Sequence, residues 1–403
     1  MEGEGALTGY RVLDLADAKG AYCTKLLADL GAEVIKVESP QGDPTRELPP
    51  FAQDIPDPER SLPFVFRNAN KLGITLNLES EHGKRLFGRL VESADVLVES
   101  FAPGFMAELG LDYGSLGAIN PGLIMASISE FGQSGPYRDW RGSPIVDIAL
   151  STDLIEAGLP GETPCSLPGM PTYDATSVMA ATSIVLALFE RGGSGEGHYI
   201  DVSVHENARL AIYPWMVTLH SYNCTPDGPP PAPEGRVGAA VYPVYPCKDG
   251  YVRVVALTPG QWGALLQVIG RPEALAGPEW RELVYRVVHA AELYDIMVEF
   301  TANYTMMELF ETGHETGVPI GPVLGLADFV ESPQTRAREF FLDMDHPVIG
   351  KFRYPGPPYK WTETPCRVER SAPRLGEHNV AIWCERLGLS RDELGGLRRT
   401  GVV

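Results

Sequence analysis

The chain has 403 residues, 44% apolar and 21% charged, enough to bury a sizeable core in one large domain or two to three ordinary ones. Its 33 basic against 53 acidic residues give a net charge of −20, which repels nucleic acid and anionic membrane and obliges any anionic ligand to find a local basic pocket. No run of about eighteen apolar residues predicts a membrane span, and the six scattered cysteines form no Cys-x-x-Cys or Cys/His cluster, so neither a metal site nor a disulfide framework is expected. The opening Met-Glu-Gly-Glu-Gly lacks the basic and apolar regions of a signal peptide, and the expectation is a reduced, cytoplasmic protein.

In chain order, Arg11-Val-Leu-Asp-Leu reads as a short buried strand. Residues 21–30 follow with Leu26, Leu27 and Leu30 on one helical face, and Gly31 ends the helix. Glu33-Val-Ile-Lys-Val-Glu is a second strand, which completes a βαβ unit with parallel strands. Dinucleotide binding is not implied, because only Gly20 stands in the first turn and G-x-G-x-x-G is missing. Residues 39–65, rich in Pro, Asp and Glu, predict a long surface excursion. Ile74-Thr-Leu-Asn-Leu, Asp95-Val-Leu-Val-Glu and Leu123-Ile-Met-Ala-Ser-Ile-Ser read as further strands, with a helix over 81–93. This alternation predicts a parallel sheet covered by helices on both faces. Such sheets bind ligands beyond the carboxyl ends of their strands, here the turns 38–46, 99–104 and 129–141.

The stretch Gly169-Met-Pro-Thr-Tyr-Asp-Ala-Thr-Ser-Val-Met-Ala-Ala places Asp174 in a polar loop just before a helix. That helix carries Val178, Met179, Ile184, Val185, Leu186, Leu188 and Phe189, is apolar on nearly every side, and is expected to be buried. An Asp there suits an N-cap, and the helix dipole favours its ionised form. The same placement suits a nucleophile, since a pre-oriented carboxylate needs no general base. Spacing alone leaves both readings open. Glu190-Arg-Gly-Gly-Ser-Gly-Glu-Gly then reads as a flexible, hairpin-like turn, and His198-Tyr-Ile-Asp-Val-Ser-Val alternates as a strand.

The Pro-rich segment from Pro226 to Gly238 reads as a linker or surface loop. Strands at 242–246 and 251–257 flank a Lys-Asp-Gly turn, and helices run over 259–311. Residues 317–323 read as a second connection, and the tail as a helix, a Pro-rich strand region and a final helix over 379–387. The expected organisation is a large α/β domain in 1–205, a linker in 206–240, a small α+β domain in 241–324, and the rest of the large domain in 325–403.

Several fragments recur in a family-specific order. They include Leu26-Leu-Ala-Asp-Leu-Gly-Ala-Glu-Val-Ile-Lys-Val-Glu, Gly42-Asp-Pro-Thr-Arg, Asn68-Ala-Asn-Lys and Ala94-Asp-Val-Leu-Val-Glu-Ser-Phe-Ala-Pro-Gly. Phe131-Gly-Gln-Ser-Gly-Pro, Leu188-Phe-Glu-Arg-Gly-Gly-Ser-Gly-Glu-Gly, Asp201-Val-Ser-Val and Pro373-Arg-Leu-Gly-Glu-His-Asn follow. In that order, over nearly the whole chain, they resemble the class III CoA-transferases, the family of formyl-CoA transferase and carnitine CoA-transferase. The resemblance implies a Rossmann-like large domain built from both chain ends, a smaller domain between, and two subunits interlocked like links.

It also implies a nucleophile at Asp174. The family's route runs through an aspartyl anhydride with the donor acyl group and then an aspartyl-CoA thioester, which the acceptor acid discharges in reverse. Coenzyme A is therefore implied as part of the substrate, with an acyl-CoA donor and a carboxylic acid acceptor as partners. Carried over to this chain, the CoA contacts are Asn70, Lys71, Ser100, Phe101, Ala102 and Arg141. The pattern departs at Ser100, usually Asn, and at Ser39 and Glu108, where the family is often basic. Gly235 and Gly238 match part of a glycine-rich covering loop that would keep water from the anhydride. Pro144 and Ile148, where relatives carry an acid and Gln, suggest an acceptor pocket less polar than oxalate needs, and an aromatic or branched dicarboxylate such as benzylsuccinate becomes the expected acid.

The nearest alternative is an acyl-CoA racemase of the same superfamily, which needs a His upstream of the Asp as an acid/base partner. No His lies between His82 and His198. A subunit of a heteromeric transferase is a further alternative to a homodimer. An NAD-dependent oxidoreductase fails for want of its glycine fingerprint.

Overall fold

A computed structural model describes residues 4–151, 154, 163–211 and 243–403. Two compact units emerge. The first takes the described residues up to 151, those from 166 to 211, and those from 336 to the end; the second takes the remainder. Gly235 and Gly238 lie outside the described residues.

The first unit is built on six parallel strands in the order β3-β2-β1-β4-β5-β6. They are β1 (Arg11–Leu15), β2 (Glu33–Glu38), β3 (Leu72–Thr75), β4 (Val96–Glu99), β5 (Ile124–Ser129) and β6 (Tyr199–Ser203). The helices are α1 (Ala21–Asp29), α2 (Leu62–Arg67), α3 (Glu81–Val91), α4 (Phe105–Glu108), α5 (Tyr113–Ile119), α6 (Pro144–Leu150), α7 (Pro171–Ser194) and α8 (Val204–Ala211). This is the doubly wound order, which reverses direction between β1 and β4 and opens a crevice at their carboxyl ends.

Alternation along the strands fills both faces, as the two-residue period of a strand requires. Leu13, Leu15, Ile35, Val37, Ile74, Leu97 and Met125 join Leu86, Phe87 and Leu90 of α3 and Trp383 and Leu394 near the C-terminus. Val12, Val34, Val96, Val98, Ile124, Ala126 and Ile128 join Cys23 and Leu27 of α1 and Ala180, Ala181, Ile184 and Leu188 of α7. Gly20, the lone glycine of the first turn, serves packing: a Cβ there would meet Ala16 and Ile128 side chains at 2.8 Å.

The structure departs from the sequence reading at several places. The excursion over 39–65 is partly buried, because Arg46 turns inward and pairs side-on with Glu38 at 2.6 and 2.8 Å. Helix α7 does not stop for the glycines; it runs to Ser194 and ends at Gly195, whose φ of 76° suits a left-handed cap. The chain then enters β6 parallel to β5, so the segment is a crossover and not a hairpin-like turn. α7 also buries only one stripe. Val178, Met179, Val185, Leu186 and Phe189 face outward, Phe189 at 86% exposure, because a helix lying on a sheet offers it a single face. By length and composition α7 alone among the described residues could cross a bilayer, yet its Thr172–Leu188 stripe is committed to the core.

The C-terminal part of this unit adds an antiparallel pair, β10 (Phe341–His346) and β11 (Gly350–Pro355), and two short helices near the end. The sequence reading found the segment Val380–Arg386 and missed Arg391–Arg399, although Ser390 and Glu393 form a capping box there. Pro373-Arg-Leu-Gly-Glu-His-Asn is stitched to β3: the Gly73 amide donates to His378 Nδ1 and the Thr75 amide to Asn379 Oδ1.

In the second unit β7 (Val244–Cys247), β8 (Gly250–Val254) and β9 (Ile320–Pro322) form an antiparallel sheet. Residues 317–323 thus supply a strand as well as a connection. Tyr245, Val252, Trp262, Leu265, Trp280, Met297 and Leu309 make its core with helices Pro259–Val268, Ala290–Thr301 and Met306–Thr316.

Candidate active site

Pro171 opens α7 at its first helical position, where a fixed φ is favourable and the missing N–H costs nothing. Met170 is the N-cap residue, and the Asp174 amide already donates to the Met170 carbonyl at 3.0 Å. Asp174 therefore sits inside the first turn and is not the cap expected from its spacing. The Met-Pro pair was the signal that would have moved the boundary.

The Asp174 carboxylate is held by Arg67, the last residue of α2. One guanidinium nitrogen, Nη2, donates to Oδ1 at 2.8 Å and to Oδ2 at 3.0 Å. Burial pushes the Asp174 carboxyl above its ordinary range, and the Arg67 charge opposes that shift. Tyr22 lies close enough that burial first, and the Asp174 charge next, raise its phenol. Tyr22 stacks on Phe66 with centroids 5.7 Å apart, and the Tyr354 hydroxyl donates to the Phe66 carbonyl. Lys25, paired with Asp29, stands over the rings of Tyr22, Phe66 and Tyr354. The result is a partly covered carboxylate with a guanidinium partner and an aromatic wall. Arg67 was not found from sequence, because 107 residues separate it from Asp174.

The residues carried over for CoA fall into three groups. Ser100, Phe101 and Ala102 follow β4 at the carboxyl edge of the sheet. Ser100 Oγ donates to Asp17 Oδ1 and accepts from the Asp17 amide, which ties this turn to the one after β1. Phe101 packs on Phe105 at 4.7 Å between centroids, and Ala102 is exposed. Arg141 is exposed in the turn after β5. Arg138, from the same turn and not singled out by sequence, lies against Gly104, where a Cβ would meet its Nη2 at 3.1 Å.

Asn70 and Lys71 stand apart. Asn70 donates to Asp29 and to the Arg367 carbonyl and accepts from the amides of Glu369 and Arg370. It helps line a cavity of about 440 Å³ with Asp29, Glu33, Arg367 and Arg370, which does not include Asp174. Lys71 is 1% exposed and its ammonium donates to Asp14 at 2.8 Å, to the Ala21 carbonyl at 2.8 Å and to Asn68 at 2.9 Å. All three of its protons are engaged inside the protein. Burial pushes it down to about 8 even with Asp14 beside it.

A second acidic group, also missed from sequence, lies beside the head of α7. Glu130 follows β5 and accepts the Tyr173 hydroxyl at 2.7 Å. Asp147 of α6 is fully buried, with no hydrogen-bond partner on either oxygen among the described residues, and Glu130 Oε2 is likewise buried. Ile148 is buried next to it, so this wall carries carboxyl groups as well as the apolar surface expected from Pro144 and Ile148. Burial first, and the Glu130 charge next, push Asp147 up to about 8. The folded protein therefore keeps a proton that the unfolded chain releases near pH ~4, and stability falls as pH rises from about 4 to about 8. Asp147→Asn removes this contribution. Between about pH 5 and about pH 8 the variant should lose about 3–4 kcal/mol less stability than the wild type in urea melts. Parallel stability–pH curves for the two proteins would refute the proton retained on Asp147.

Fold and site together define a doubly wound α/β enzyme that presents an ion-paired carboxylate, without a dinucleotide glycine loop, at the carboxyl edge of its sheet. The chain belongs to CoA-transferase family III, whose model matches residues 7–379. It is 32% identical to formyl-CoA:oxalate CoA-transferase of Streptomyces avermitilis, over 99% of each chain. It is also 32% identical to the succinyl-CoA:(R)-benzylsuccinate CoA-transferase subunit BbsE of Thauera aromatica, over 98% of this chain and 97% of that one. A CAIB/BAIF family protein from Brucella suis has a similar structure, with a TM-score of 0.82 at 29% identity, over 95% of this chain and 99% of that one.

Proposed function

We propose that this enzyme moves CoA from an acyl-CoA thioester to a free carboxylic acid, with Asp174 as the nucleophile. The observation that carries the reading is the Asp174 carboxylate in the first turn of α7, ion-paired to Arg67 and only partly open to solvent. A carboxylate attacks a thioester without a general base, and the helix N-terminus favours its charge. The route is the mixed anhydride, then the aspartyl-CoA thioester, then the same two steps in reverse with the acceptor acid. In this reading Ser100, Phe101 and Ala102, at the carboxyl edge of the sheet, line the thioester arm, and Arg141 with Arg138 meets the CoA phosphates. Asn70 and Lys71 would bear on CoA only through the backbone they hold, since their side chains are engaged internally.

The acceptor is a dicarboxylate with an aromatic or branched substituent. The benzylsuccinate named for one relative supports this, as do the buried Ile148 and the aromatic wall of Tyr22 and Phe66. The outward apolar stripe of α7, with Leu186 62% and Phe189 86% exposed, supports assembly with a second chain. We read that chain as a second copy in an interlocked dimer; the relative described as a subunit makes a related chain the alternative. The test is a matrix of CoA donors against acids, read by mass spectrometry of the CoA products, on a preparation whose mass is set by sedimentation. Exchange between formyl-CoA and oxalate alone would overturn the acceptor assignment, no exchange with any pair would overturn the activity, and a compact monomer would overturn the assembly.

A further inference from the structure

Arg67 is 8% exposed, yet its pairing with Asp174 uses one nitrogen for both carboxylate oxygens. Guanidinium–carboxylate pairs frequently use two nitrogens, one to each oxygen. Here Nε is buried with no partner among the described residues. A buried donor left without an acceptor is costly in a finished structure and is usually explained by a ligand or a functional state. The guanidinium thus holds Asp174 with one donor while others remain for a second acceptor in the same place.

We propose that Arg67 is the receptor for the carboxylate of the acid substrate, passing between Asp174 and that acid during turnover. The proposal rests on the reading of Asp174 as nucleophile. In the first step an Asp174 Oδ bonds to the thioester carbonyl carbon, the C–S bond breaks, and CoA leaves as thiolate. Asp174 has then lost its charge to sulfur. In the second step the thiolate bonds to Asp174 Cγ, the Cγ–O bond of the anhydride breaks, and the electron pair leaves on that oxygen. The departing oxygen is the one that belonged to Asp174, the atom Nη2 was holding, and it now belongs to the released acid. The Arg67 bond passes from enzyme carboxylate to product carboxylate with no movement of the guanidinium. The incoming acid takes the same place and bonds through one oxygen to Cγ of the aspartyl-CoA thioester as CoA thiolate leaves. At the aspartyl-CoA stage Asp174 is neutral, so its place beside Arg67 is open to the carboxylate of the acid.

The test uses Arg67→Gln and Arg67→Lys with the donor and acid pair that turns over fastest in the substrate matrix. A lost charge-assisted contact should raise KM for the acid by about 10- to 100-fold in Arg67→Gln, while KM for the donor changes by less than about threefold. Arg67→Lys, which keeps the charge and the fold, should raise acid KM by a smaller factor with the same donor KM. With donor alone, intact-mass spectra should show CoA on Asp174 in both variants, and in Arg67→Gln the adduct should persist after acid is added. If the adduct forms in the variants and acid KM equals that of the wild type, Arg67 is not the receptor and Asp174 stands as nucleophile. If even the wild type shows no modification of Asp174, the nucleophile reading fails and the Arg67 proposal with it.

Discussion

Asp174→Ala should reduce CoA transfer by at least about 10⁴-fold, because the covalent route disappears. Tyr22 has its phenol raised by burial and by the Asp174 charge, and Glu130 is engaged by Tyr173. Neither is a substitute nucleophile. The structure adds a structural cost. Removing the carboxylate leaves Arg67, 8% exposed, without its charged partner, at a cost of about 1–3 kcal/mol. Asp174→Asn keeps the shape and one acceptor, and should be equally inactive with a smaller loss of stability. The check pairs initial rates of CoA exchange with a urea midpoint for each variant. Hydroxylamine added during turnover should modify Asp174 in the wild type and no other carboxylate. Either variant transferring CoA at near wild-type rate would remove Asp174 from the chemistry.

Lys71→Ala should act on stability. Its ammonium sits at 0% side-chain exposure against Asp14, itself at 0%. Asp14 also accepts the Thr24 hydroxyl and the Ala16 amide, so it keeps two hydrogen bonds when Lys71 is lost. It loses its contacting cation, and breaking one side of a buried ion pair costs about 3–5 kcal/mol. The lower end of that range is expected here, because Lys36 remains close, with its ammonium on the Ala16 carbonyl and Asp43. Asp14→Asn combined with Lys71→Met removes both charges and should recover part of the loss, since no unpaired ion is then left inside. Urea midpoints of the two single variants and the double variant decide it. A Lys71→Ala protein as stable as the wild type, with a raised KM for the CoA ester, would return Lys71 to the CoA site.

Both outcomes turn on partners that strands and helices alone do not name. Alternating and helical periods report which side of an element is apolar, and that was enough for β1, β2 and the body of α1, whose bounds match their apolar runs. The same signal misplaced the start of α7, where Pro171 and not Asp174 sets the boundary, and its end, where Arg191 stays helical and reaches Asp95 and the Gly122 carbonyl. Capping and backbone geometry outweighed composition at both ends. β9 was missed because three residues carry too short a pattern to register a strand period.

The sequence by itself determined the parallel α/β core and, through its ordered motifs, the family. Those are properties of local pattern, and local pattern survives without knowledge of which loops meet. Tertiary structure alone decided that Arg67 faces Asp174, that Lys71 is an internal ion partner, and that Glu130 and Asp147 share a buried corner beside Tyr173. Whether a charge is solvated or paired depends on the loops that converge on it. In this fold, residues after β1, β4 and β5 and at the ends of α2 and α7 reach one edge of the sheet from positions far apart in the chain.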